Sequence, residues 1–67
     1  MTRLRVEGMS CEHCVRAVHK ALSAVAGVER VDEVSLERGE ALVSGSADGA
    51  QLVAAIEKEG YRAEPIG

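Results

Sequence analysis

Along these 67 residues the apolar positions change spacing in a set order, and that order limits the fold more than any single residue does. Thr2–Val6 alternates, with Leu4 and Val6 on one face, which predicts a half-buried strand. From Cys14 the spacing becomes helical, at Cys14, Val18, Leu22 and Val25 with Ala17, Ala21 and Ala24 alongside, leaving Arg16, His19 and Lys20 for solvent. Ser10 is placed to cap this helix and Gly27 to end it. Val28–Leu36 reads as a second strand. Val34 and Leu36 agree in phase while Val31 is one residue out, so a bulge is expected near Asp32-Glu33. Arg38-Gly39 makes a hairpin turn, after which Ala41 and Val43 form the inward face of a third strand. Either Ser46 or Asp48 caps a second helix, whose apolar stripe is Leu52, Val53, Ala55 and Ile56 and whose end is Gly60. Tyr61–Ile66 is a short last strand, marked by Pro65 as an edge.

The order β-α-β-β-α-β is the split βαβ, or ferredoxin-like, arrangement of the α+β class. It predicts one domain over 1–67, a four-stranded antiparallel sheet with both helices on one face. The other face meets water through Arg3, Arg5, Glu33, Ser35 and Ser44, with Leu42 among them. A chain this short buries only about 60% of its unfolded surface, and Tyr61 is its only aromatic residue, so the core is aliphatic. Such a core has no room for a deep organic-substrate pocket, which argues against an enzyme.

Both cysteines lie in Gly8-Met9-Ser10-Cys11-Glu12-His13-Cys14, between the first strand and the first helix. Two thiols at that spacing can close on one soft ion or on each other. The helix start favours negative charge, so both thiols are expected to ionise more readily than free cysteine. Two thiolates without a second pair suit Cu(I) better than structural zinc, which needs four ligands. Hg(II) accepts the same two sulfurs and stays open as an alternative. A thiol-disulfide oxidoreductase also places C-x-x-C at a helix start. It needs a substrate groove and a facing cis-proline loop, and Pro65, the only proline, is poorly placed for that.

Two cysteines are too few for a disulfide-stapled secreted scaffold, and the N-terminus opens directly in a strand pattern without a signal peptide. No apolar run is long enough to span a bilayer. A cytoplasmic setting with reduced thiols and no membrane insertion is therefore expected. The net charge of −3 excludes nucleic-acid binding by net charge. Residues 1–22 carry +2 and residues 23–67 carry −5, so the thiol-bearing part is locally basic. Charge runs of this kind are either solvated faces or a field that steers the loop toward an acidic partner.

Gly8-Met9-Ser10-Cys11-x-x-Cys14, Gly27-Val28, and Ala55-Ile56-Glu57 followed by Gly60-Tyr61 together resemble the heavy-metal-associated domain family across essentially the whole chain. A chain of this length with its own start resembles the family's free-standing bacterial copper chaperones. The resemblance implies a Cu(I) chaperone that holds one ion on Cys11 and Cys14. It would pass the ion, by shared-thiolate exchange, to the metal-binding domain of a copper-transporting P-type ATPase. Ser10 stands where zinc- and cadmium-handling relatives often carry Asp. By the same resemblance Met9 looks inward and supports the loop as core packing, the alternative being a thioether ligand. Tyr61 lies under the loop, either as a hydroxyl near the thiolates or as a cap on the aliphatic core. His13 is either an exposed histidine or a third ligand in a copper-bridged dimer of an otherwise monomeric chain. Arg5, Arg16 and Lys20 would dock the acidic face of the partner.

Overall fold

The computed structural model describes residues 1–66; Gly67, the last residue of the expected domain, lies outside them. The elements are β1 (Thr2–Glu7), α1 (Glu12–Ser23), β2 (Val28–Ser35), β3 (Glu40–Gly45), α2 (Gly49–Lys58) and β4 (Arg62–Pro65). All pairings are antiparallel, in the sheet order β2-β3-β1-β4. This is the expected βαββαβ fold. Leu4 and Val6 on β1 and Ala41 and Val43 on β3 meet Val18 and Leu22 of α1 and Leu52 and Ile56 of α2, all buried. Each of the large aliphatic side chains contributes roughly 1.5–3 kcal/mol through burial, and among the described residues no polar side chain is buried with them.

The slip in β2 is a bulge. Val31 faces Val43 and Val34 faces Ala41, while Asp32 and Glu33 together occupy the space opposite Leu42. The extra residue lets Val31 and Val34, three apart, both pack on the core. A second irregularity, between Val28 and Arg30, was not signalled by the apolar pattern. Leu36 is not part of β2: it opens the turn Leu36–Gly39 and is 37% exposed.

Three further expectations are corrected. Ser10 does not cap α1; the N-cap is Cys11, and no side chain there accepts a helix N–H. Gly27 does not end the helix, which stops at Ser23 with Ala24 as its C-cap, so Gly27 closes the turn into β2. The last strand is Arg62–Pro65, shorter than Tyr61–Ile66 at both ends. Of the two caps offered for the second helix the structure has Asp48, whose carboxylate accepts the Ala50 N–H at 3.1 Å.

The sheet face away from the helices is a field of ion pairs: Arg3 with Glu40, Arg5 with Glu64, and Arg38 with Glu33. Asp32, half-buried at the bulge, accepts from Arg30 Nε at 2.6 Å and from the Ser44 hydroxyl. These bonds, that of Ser44 first, hold the Asp32 carboxyl below its ordinary range. Among the described residues no helix is long and apolar enough to cross a membrane.

Candidate metal centre

Three connections meet at one end of the sheet. Glu7 ends β1 opposite Arg62, which begins β4, and the Val6 N–H donates to Gly39 O at 2.7 Å. The segment Gly8–Cys11 therefore rises between the β2–β3 turn on one side and Gly60-Tyr61 on the other. Met9 is half-buried and packs against the core, the packing role expected of it.

Cys11 is the N-cap, with extended backbone (φ −161°, ψ 176°). Its carbonyl accepts from Cys14 N at 3.0 Å and from Val15 N at 3.3 Å, so the first helical turn wraps back under the loop. That turn brings the two sulfurs to 3.9 Å, with Cys11 exposed and Cys14 half-exposed, both free. A metal–thiolate bond of ~2.3 Å places two sulfurs across one ion at most about 4.6 Å apart. The observed spacing lies inside that limit, so both sulfurs can reach a single soft ion with little movement.

The Cys14 thiol is held down to about 6 from the ordinary 9.0. The largest cause is the phenol of Tyr61; the backbone at Ser10 and Cys11 and the Ser10 hydroxyl add to it, while burial opposes it. The phenol is raised in return, by Cys14 first and by burial second. Ser10 Oγ lies 3.9 Å from Cys14 Sγ, so the residue expected as a cap acts one helical turn away, on the sulfur. Its position four residues before Cys14 was the available signal.

Of the two roles left open for Tyr61, its ring packs against the core. It is held there by the end of α2. Gly60 N–H bonds Glu57 O at 3.0 Å and Tyr61 N–H bonds Ile56 O at 3.4 Å, with Gly60 at φ +95°. This is the paired closure that a left-handed glycine makes possible at a helix end.

The other candidate residues are not gathered at the sulfurs. His13 is exposed on α1, and among the described residues no three His, Cys, Asp or Glu side chains converge on one point. Arg16 and Lys20 are exposed on α1 one turn apart, and among the described residues no ion pair engages them. Arg5 is not beside them. It alternates with Leu4 and Val6, so it lies on the opposite face of the sheet, paired with Glu64 at 3.6 Å.

The model of the heavy-metal-associated domain matches residues 3–62. The chain is 46% identical over 61 residues to Copper chaperone CopZ of Bacillus subtilis (strain 168), covering 87% of each. It is 41% identical over 66 residues to Copper-transporting ATPase 1 of Rhizobium meliloti, where it covers 97% of this chain but spans 8% of the ATPase. It is also 41% identical over 66 residues to the Mercuric reductase of Shewanella putrefaciens, covering 96% of this chain and 12% of that protein. Among solved structures, the apo copper chaperone of Enterococcus hirae superposes with a TM-score of 0.90 at 33% identity, covering 98% of this chain and 100% of that one.

Proposed function

The chain belongs to the heavy-metal-associated domain family, and from that premise we propose that it is a copper chaperone carrying one Cu(I) on Cys11 and Cys14. The observation that carries this reading is the pair of free sulfurs 3.9 Å apart at the exposed start of a helix. Thiolates select soft ions, and Cu(I) is satisfied by two of them. Tyr61 and Ser10 keep Cys14 ionised at neutral pH, ready to bind without first losing a proton.

Exposure supplies the second half of the function. A third thiolate can approach the ion while both original bonds remain, so the copper passes by exchange and is never free in solution. The acceptor is the metal-binding domain of a copper-transporting P-type ATPase, a class whose members include relatives of this chain. Arg16 and Lys20, in no ion pair among the described residues, face the acidic surface of that domain. Arg5 stands apart on the other face, so docking runs along α1. A reducing, cytoplasmic setting goes with this role. The chain works as a monomer, with a second copy and its His13 joining only through bound copper; sedimentation with and without Cu(I) checks this.

The test is a transfer experiment. Chain loaded with Cu(I) is mixed with an apo ATPase domain in the presence of a chelator that captures free copper. Copper reaching the domain without passing through the chelator supports the proposal; copper found only in the chelator overturns it. The resemblance to the mercuric reductase favours one second reading, in which the cargo is Hg(II). Transfer of Hg(II), but not Cu(I), to the thiols of a protein acceptor would select it.

A further inference from the structure

Gly8 meets two separate demands. Its φ of +101° is a conformation that side chains rarely adopt, which is a property of the backbone alone. A Cβ built there would also stand 3.3 Å from Tyr61 Cδ1 and 4.0 Å from Tyr61 Cα, and among the described residues beyond its two chain neighbours no other contributes an atom within 4 Å. The Tyr61 ring also packs against the buried core, its N–H donates to Ile56 O, and the N–H of Gly60 before it donates to Glu57 O at the end of α2. The ring thus touches both the core and the bare α-carbon of Gly8, and a methyl group on Gly8 forces it to shift by a few tenths of an ångström.

We infer that Gly8 is a positioning residue: its hydrogen-only α-carbon is the seat of the Tyr61 ring and so fixes where that ring stands against the loop that carries Cys11 and Cys14. Two connections far apart in sequence, one after β1 and one after α2, are registered against each other by this contact. The inference rests on the copper reading only for its meaning at the site, because the contact exists in the metal-free chain.

Chemical synthesis of the full 67-residue chain separates the two demands. Gly8→D-Ala keeps the positive φ and directs its methyl away from where an L-residue's Cβ lies, whereas Gly8→Ala puts the methyl against the ring. Tyr61 is the only aromatic residue, so tyrosine emission reports on this one ring. Under anaerobic addition of Cu(I), the natural chain and Gly8→D-Ala are expected to show the same change in emission. Gly8→Ala keeps an end point of one ion per chain but loses about half of the response or more, since a site tolerates only small displacements of its supporting groups. An unchanged response in Gly8→Ala overturns the inference, and so does an equal loss in Gly8→D-Ala.

A second measurement needs no copper. In a double-mutant cycle on the apo chain, Gly8→Ala is expected to lower the folding equilibrium constant more when Tyr61 is present than in the Tyr61→Ala background, by on the order of tenfold. A Gly8→Ala chain that folds only together with Tyr61→Ala is the extreme form of that result. Equal losses in the two backgrounds would reduce Gly8 to its φ angle. Failure of the natural chain to bind Cu(I), with the cycle still showing coupling, would sink the copper reading and leave the seat standing.

Discussion

At the start of α2 the Asp48 carboxylate takes the Ala50 N–H at 3.1 Å, whereas at the start of α1 the N-cap is Cys11 and no side chain takes a helix N–H. Both helices rest on the same core, through Val18 and Leu22 in one and Leu52 and Ile56 in the other. What differs is the use of the positive end of each helix. In α2 the orphan donors are closed by a local cap, which stabilises the fold and does nothing else. In α1 the same end is left to the two sulfurs, with Glu12 in the first turn and the hydroxyls of Ser10 and Tyr61 at Cys14. The site is a helix start left without its cap, and the rest of the domain supplies the stability that this omission costs.

That comparison predicts a graded series of effects. Truncating the shared core is largest and symmetrical. Leu22→Ala and Ile56→Ala each cost roughly 2–5 kcal/mol in urea unfolding, and a marked difference between them would mean that the helices are not equally anchored. Removing the cap of α2 by Asp48→Ala costs about 1 kcal/mol, with Cu(I) affinity unchanged; a lowered affinity would show that the two ends are coupled. Placing a capping residue on α1 has the opposite sign. Cys11→Ser destroys the metal site yet stabilises the apo chain by about 0.5–1 kcal/mol, and a less stable Cys11→Ser chain would contradict the idea that function displaced a cap.

The remaining effect is in pH. Cys14 titrates at about 6 in the folded chain against 9.0 ordinarily, so its ionisation favours the fold fully above pH 9 and ceases to do so as pH falls through 6. Relative to Cys14→Ser, the stability of the apo chain rises from pH 6 to pH 9. Tyr61→Phe removes the largest cause of the lowering and narrows that window. Denaturation of the three chains at several pH values checks both statements.

The element order and the bulge at Asp32-Glu33 were legible because each depends on residues close in sequence; the cap of α2 was narrowed to Ser46 or Asp48, and the inward Met9 followed from the family resemblance. Leu36 misled because it keeps the phase of Val34, yet the turn begins there and releases it to solvent. Ser10 misled because its type and position fit a cap, while its hydroxyl is engaged one turn further on, at the Cys14 sulfur. What could not be read was whatever two distant segments create together. The contact of the Tyr61 ring with Gly8 depends on which ends the topology joins, whereas the placement of Arg5 on the sheet face away from α1 already followed from its alternation with Leu4 and Val6.

The most direct test of the account is an anaerobic Cu(I) titration against a competing chelator, run on the natural chain, Cys11→Ser and Cys14→Ser. The account predicts one Cu(I) per natural chain, taken from the chelator, and none retained by either variant although both stay folded. Copper held as tightly by a single-cysteine chain, or left with the chelator by the natural one, would contradict it.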